Sequence, residues 1–177
     1  KTILTQSERL TSLVSCIINY NEIDQDDLPV YEVNASKLLG EMLESRSPAI
    51  DEHKLILLSD VGEDVMLLSR YERVTQVFGN LIRNAIRYNR EGGSISVLLD
   101  REKFSVSDTG IGIAEENLGR IFDRFFTVDK SHNGINGGFG LGLAVVKKLC
   151  RKSGWELSVE SKLGEGTTFT VRFSMQK

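Results

Sequence analysis

Histidine, cysteine and proline are nearly missing from this chain, at two residues each in 177. Cys16 and Cys150 lie far apart and form no Cys-x-x-Cys pair, so both read as small buried hydrophobes of a protein kept in a reducing compartment. His53 and His132 stand in metal-ligand spacing neither with a cysteine nor with each other, and read as a strand-edge and a loop residue. No Lys/Arg tract interrupts a net charge of −3, which argues against nucleic acid as a partner. No apolar run approaches the ~20 residues that a bilayer-crossing helix needs. No signal peptide is visible and the first residue is Lys1, so the expectation is a piece cut from a longer chain. Internal repeats and low-complexity segments are missing as well. There is no Gly-Lys dipeptide, which excludes a P-loop. What remains is an ordinary globular composition, 40% hydrophobic and 27% charged, long enough to bury a core.

Glycine, by contrast, is concentrated. Residues 136–143 read NGGFGLGL, with Gly137, Gly138, Gly140 and Gly142 packed into six positions. Their spacing does not fit the dinucleotide fingerprint G-x-G-x-x-G. A surface loop and a backbone cradle for phosphate at a helix start both remain open on spacing alone.

Along the chain, KTILTQSERLTSLVSCIINYNEI has helical period, with Ile3, Leu10 and Ile17 seven apart and Leu13 and Tyr20 three after two of them. Such a seam fits pairing with another helix or packing on the domain's own core. DQDDLPVYEV is acidic and aperiodic and reads as a linker. Asn34 caps a second helix that Pro48 is expected to end, followed by strands in KLILLS and EDVMLLS about a Gly-Glu-Asp turn. YERVTQVFGNLIRNAIRYN carries an unbroken apolar stripe from Val74 to Ile86, the strongest helical pattern in the chain. Strands follow in SISVLLD and KFSVSD; the glycine cluster opens a helix through Val145, Val146 and Leu149, and WELSVES and TTFTVRFS close the chain. The pattern predicts an α+β, two-layer sandwich with helices on one face of a mixed, mostly antiparallel sheet, plus an N-terminal helix.

Candidate chemistry starts on the long helix. Asn80, Asn84 and Arg87 fall within about 60° of one another at 100° per residue, beside the apolar stripe. They read either as a solvated flank or as an amide oxygen for Mg²⁺ with a guanidinium for phosphate. Asp108 ends a strand before Gly110 and Gly112, as a plain Asp-Thr-Gly turn or as an acceptor for a flat ring pressed on bare backbone. IFDRFF places Ile121, Phe122, Phe125 and Phe126 on about two predicted turns of helix, as core or lid anchor. Gly164, Gly166 and Thr167 open the last strand.

The order of these blocks resembles the ATP-binding catalytic domain of sensor histidine kinases, in the superfamily shared with gyrase-type ATPases. FGNLIRNAIRY is similar to its N box, DTGIGI to its first glycine box, IFDRFF to its F box, GGFGLGL to its second glycine box and GEGTTF to its third. The resemblance implies a Bergerat-type fold over residues 25–177, with residues 1–24 as the second helix of the dimerisation and phosphotransfer domain. It implies ATP and Mg²⁺ as cofactors, with Asn84 as metal ligand, Asn80 beside it and Arg87 towards the phosphates. Tyr88 would line the nucleotide pocket, Asp108 would take the adenine amino group with Gly110 and Gly112 against the base, and Ile113, Phe122 and Thr167 would also bind the nucleotide. Residues 127–139 would form a flexible lid, with Gly138 among the nucleotide-binding residues, and Gly140, Leu141 and Gly142 would present the helix N-terminus to the triphosphate. Implied partners are the chain's own dimerisation domain, as a homodimer, and a response regulator; the implied location is the cytoplasmic side of a membrane-anchored sensor.

Three departures stand out. No histidine sits in a His-Glu or His-Asp helical context, so the phospho-acceptor is expected outside this sequence. Phe139 replaces the family's usual small residue, and Arg87 replaces a common lysine. At the position where superfamily ATPases carry a water-activating glutamate stands Asn80, which cannot act as general base. Phosphoryl transfer is thereby favoured over two alternatives, hydrolysis as the main purpose and a non-catalytic nucleotide-binding module.

Overall fold

The computed structural model describes residues 2–25, 27–128 and 138–174. Twelve elements follow in order: α1 (Thr2–Gln25), β1 (Tyr31–Asn34), α2 (Ala35–Glu52), β2 (Ile56–Val61), β3 (Met66–Ser69), α3 (Tyr71–Arg87), β4 (Ser94–Leu99), β5 (Lys103–Asp108), α4 (Glu115–Leu118), α5 (Gly142–Ser153), β6 (Glu156–Lys162) and β7 (Gly166–Arg172).

The main sheet has five strands in the order β2-β4-β5-β7-β6, with β2 parallel to β4 and every other pair antiparallel. One face carries Ile95, Val97, Phe104, Val106, Phe169 and Val171, all buried beneath the helices. Alternation then sends hydroxyls to the other face, where Ser107 pairs with Thr168 at 2.7 Å and Ser105 with Thr170 at 3.2 Å. Helix α3 lies across the buried face. Its apolar stripe places Phe78 flat on Phe104, ring centroids 3.9 Å apart, while Glu72 and Arg87 suit the two ends of its dipole. Helix α5 packs beside α3 and stops at Gly154, a left-handed cap at φ +69°. The predicted mixed sheet with overlying helices is therefore present.

Several local expectations need correction. Pro48 lies inside α2 and does not end it; buried Ile50 and the cap at His53 carry the helix past it to Glu52. His53 is thus a helix cap, not a strand edge. Three of the ten predicted linker residues, 31–33, join Asn34 in β1 and pair with β3 in a separate two-stranded sheet. The two strands predicted about the Gly-Glu-Asp turn consequently belong to different sheets. IFDRFF is a chain of turns, because Phe125 takes φ +64° and interrupts any helix there. Cys150 is buried, but Cys16 is only half-buried. His132 lies outside the described residues.

Candidate functional site

Two adjoining hollows share Asn84, Tyr88, Ile121, Phe126, Thr127 and Leu143. They form one cleft of two characters.

The smaller hollow, about 130 Å³, is walled by Ile111, Gly112, Ile113 and Phe169, with Asp108 and Thr167 adding polar groups to the shared Asn84, Tyr88 and Thr127. Asp108 ends β5, where its Oδ1 accepts the Gly110 N–H at 2.8 Å. Burial raises its pKa from 3.8 to about 6, although backbone N–H bonds from Gly110 and Thr167 pull the other way. Thr167 is held by Ser161, whose hydroxyl lies 2.8 Å from Oγ1 of Thr167 and accepts the Ile113 N–H at 2.8 Å. A closed run of bonds backs this wall. Ile111 donates to the Tyr88 carbonyl at 3.0 Å, Gly164 to the Ile111 carbonyl at 2.8 Å, and the Arg90 guanidinium to the Gly164 carbonyl at 2.6 Å. Only glycine fits at position 112, where φ is +67° and a Cβ would lie 2.0 Å from the Lys162 carbonyl oxygen.

The larger hollow, about 480 Å³, takes Asn80, Asn84 and Arg87 from one face of α3 and residues 138–143 from the start of α5. Its described lining holds two arginines, Arg83 and Arg87, and no carboxylate. Helix α5 begins at Gly142 with no acidic residue in its first turn, so its unpaired N–H groups add positive potential. Gly140, at φ +71°, turns the chain into that helix; a Cβ there would lie 2.7 Å from the Phe126 carbonyl oxygen. The Phe125 N–H donates to the Gly140 carbonyl at 3.0 Å, tying the aromatic turns to the glycine run. Arg87 stacks on the Tyr88 ring at 5.1 Å.

The cleft thus gathers Asn80, Asn84, Arg87, Tyr88, Asp108, Gly112, Ile113, Gly138, Gly140, Leu141, Gly142 and Thr167, drawn from distant parts of the sequence. Gly110 is buried behind it against the Tyr88 carbonyl. Phe122 lines neither hollow and packs edge-on against Phe169 at 6.3 Å. Most of the expected lid, residues 129–137, lies outside the described residues. Four lining residues went unread in the sequence: Cys16 and Asn19 of α1, and Gln76 and Arg83 of α3. Gln76 and Arg83 sit four before and three after Asn80, so helical spacing offered that signal. Nothing local pointed to Cys16 or Asn19.

Comparison with known proteins bears on the family and the fold. Residues 69–177 match the family described as Histidine kinase-, DNA gyrase B-, and HSP90-like ATPase. Sensor protein SrrB of Staphylococcus aureus is 34% identical over 176 residues, covering 96% of this chain and 30% of SrrB. The chain therefore spans about a third or less of the length of such relatives. Among solved structures, full-length ShkA in complex with AMPPNP shares 26% identity at a TM-score of 0.78, over 95% of this chain and 36% of that one. Acinetobacter baumannii histidine kinase AdeS shares 25% identity at a TM-score of 0.71, over 100% of this chain and 84% of that one. The catalytic domain of histidine kinase ThkA shares 25% at 0.68, over 82% of this chain and 95% of its own. The chain belongs to the histidine kinase-, DNA gyrase B- and HSP90-like ATPase family, and within it is similar to sensor histidine kinases.

Proposed function

We propose that this chain is the catalytic portion of a sensor histidine kinase, binding Mg²⁺-ATP and transferring the γ-phosphoryl group to a histidine on a dimerisation domain. The observation that carries this reading is the order of the cleft. A narrow apolar hollow with one carboxylate acceptor opens directly into a wider one that holds arginines, amides and a helix N-terminus but no acid among its described lining. A purine suits the first and a triphosphate the second.

In this reading Asp108 accepts the adenine amino group, and Arg87 and the start of α5 meet phosphate oxygens. The Asn84 amide is half-buried, lines both hollows and makes no side-chain hydrogen bond among the described residues, so its oxygen is available to a hard cation. Among the described residues no group of three His, Cys, Asp or Glu side chains gathers to hold a metal, so a cation here takes Asn84 and the oxygens its ligand and water bring. Bound Mg²⁺ would neutralise charge on the phosphates. The chain's own groups position and orient; the γ-phosphorus leaves the bridging oxygen of ADP for the histidine nitrogen of the acceptor. Asn80 lacks the basicity to activate water, which favours transfer over hydrolysis.

Residues 1–24 are proposed as the second helix of the dimerisation domain and residues 25–177 as the catalytic domain. Supporting this, the end of α1 is fastened to α5, where Lys148 donates to the Tyr20 carbonyl at 2.9 Å and Lys152 to the Ile23 carbonyl at 2.7 Å. Further up, Leu10, Val14 and Ile18 remain exposed, as a seam awaiting other helices would be. Partners on this reading are a second copy through that domain and a response regulator aspartate, on the cytoplasmic side of a membrane-anchored sensor.

The deciding experiment supplies a separate dimerisation hairpin bearing its histidine together with γ-labelled ATP. Acid-labile label should appear on the hairpin and not on this chain. Release of free phosphate with no label transferred would favour the ATPase alternative instead.

A further inference from the structure

We infer that Ser161 is a positioning residue for base selection: it takes up the donor protons of the Ile113 amide and the Thr167 hydroxyl, leaving the Thr167 oxygen only acceptor capacity for a base. This rests on the nucleotide reading above and adds a residue outside every motif of the resemblance.

The first observation is place. Strand β6 packs Leu157 and Val159 partly buried against the core, and alternation puts Ser161 next in that row. Its register partner on β7 is Thr167, which lines the base hollow, whereas Ser161 itself lines neither hollow. A hydroxyl thus ends an apolar row beside a residue of the base wall.

The second is a proton count. The Ser161 hydroxyl accepts the Ile113 N–H at 2.8 Å, donates to the Gly166 carbonyl at 2.9 Å and lies 2.8 Å from Thr167 Oγ1. A serine hydroxyl has one proton and two acceptor lone pairs. A carbonyl can only accept, so that proton goes to Gly166, and the Thr167 hydroxyl is then the donor to Ser161. The reverse assignment would leave two acceptor oxygens 2.9 Å apart with no proton between them. Thr167 therefore has its one hydroxyl proton spent, and any group that reaches its oxygen meets lone pairs.

The third is that neighbouring donors of this wall are spent in the same way. The Gly110 N–H goes to Asp108 Oδ1 at 2.8 Å, the Ile111 N–H to the Tyr88 carbonyl at 3.0 Å, and the Thr167 N–H to Asp108. What Asp108 and Thr167 keep for a ligand is a carboxylate and a hydroxyl oxygen, both acceptors. The amino group of adenine brings two hydrogens to such a pair, and a carbonyl in its place brings none.

Displacement of a fluorescent ATP analogue by ATP and by inosine triphosphate, which carries a carbonyl in place of the amino group, tests this. The proteins compared are the parent chain, Ser161→Ala, Ser161→Thr, Thr167→Val and the double Ser161→Ala/Thr167→Val variant. Without Ser161 as acceptor, the Thr167 hydroxyl can turn and donate to a carbonyl. The parent should prefer ATP by about tenfold or more, and Ser161→Ala should narrow that preference about three- to tenfold, the worth of one hydrogen bond. Ser161→Thr keeps a hydroxyl and should keep the parent preference. In the Thr167→Val background, Ser161→Ala should leave the preference where it was, because Thr167 supplies the donor. Should Ser161→Ala fail to fold, Ser161→Cys, whose thiol is a weak acceptor, carries the same comparison. Equal losses for both nucleotides in Ser161→Ala would mean that Ser161 holds the wall without selecting the base. Narrowing of the same size in the Thr167→Val background would move the effect off Thr167. Either result overturns the inference, as would a parent chain that binds both nucleotides equally. A parent chain that binds neither would instead bring down the nucleotide reading itself.

Discussion

The two hollows of the cleft are built in opposite ways. The base hollow is small and mostly apolar, and its wall is stitched by main-chain bonds from the end of α3 through the 110–113 loop to the β6–β7 turn. The phosphate hollow is more than three times larger, and its walls come from three separate helices, α1, α3 and α5, and the glycine run ahead of α5. A flat apolar ring gains from close, fixed packing, because each lost contact forfeits dispersion and leaves surface wet. Phosphates need donors and positive potential, which act over longer distances and tolerate intervening water. On the proposed reading, recognition on one side is rigid shape, and on the other it is assembled charge.

If so, a methyl group should be ruinous on one side and tolerable on the other. Gly112→Ala forces a Cβ to 2.0 Å from a carbonyl oxygen at φ +67°, with no flexible side chain to give way. Strain of this kind costs on the order of 2–4 kcal/mol, so nucleotide affinity should fall about a hundredfold, with a lower melting temperature. Gly138→Ala meets only the end of the Arg87 side chain, at 3.0 Å, and should change affinity by less than about threefold. Calorimetric titration of both variants reads the contrast, and equal losses would break it. Next in size is Asn84→Ala, which should remove most of the Mg²⁺-dependent part of ATP binding, about tenfold, with binding in EDTA left nearly as before.

Asp108 sharpens the base side. As an acceptor-only carboxylate it matches the amino group of adenine and opposes the carbonyl that guanine presents there. A buried mismatch costs on the order of 1–3 kcal/mol, so ATP should outcompete GTP by about ten- to a hundredfold. Asp108→Asn should weaken ATP and narrow that gap, since an amide can turn a donor towards guanine. Displacement of a fluorescent ATP analogue measures both. Equal displacement by GTP and ATP in the parent chain would reduce Asp108 to a turn residue.

The same contrast governs what the sequence made legible. Elements with a strong period, α3 above all, and the sheet strands with alternating burial were readable because burial alone dictates their pattern. The cleft residues stand in the sequence as ordered blocks, and at Gly112 and Gly140 a positive φ is the local backbone reason for glycine. What escaped depends on distant partners. Tyr31 to Asn34 become a strand only because Met66 to Ser69 lie beside them, and α2 passes Pro48 because Ile50 finds a buried site beyond it. Phe125 breaks the apparent helix of IFDRFF because its N–H goes to Gly140, fifteen residues on. Cys16 and Asn19 reach the phosphate hollow through the docking of α1 on α5, which no spacing within α1 encodes.

The smallest expected effect is one of pH, and it should belong to the base hollow alone. Asp108 has its pKa raised from 3.8 to about 6, chiefly by burial. A carboxylate shifted upward on folding is the reverse of the common acidic case: the ionised form burdens the folded chain. From this group alone, stability should therefore rise as pH falls through about 6, and the gain should be complete below the unfolded value. Adenine binding should run the other way, because protonation weakens the acceptor that faces the amino group. Between about pH 7.5 and pH 5, affinity should drop roughly three- to tenfold. Adenosine is the right probe, since it carries no phosphate that titrates in the same window. Its affinity should fall with pH in the parent chain and stay flat in Asp108→Asn, while thermal unfolding of the empty parent chain gains relative to that variant over the same range. A flat adenosine profile in the parent chain would mean that Asp108 does not meet the base. A profile shared by both proteins would place the titrating group elsewhere in the cleft, and the division between a rigid base hollow and a charge-built phosphate hollow would no longer hold.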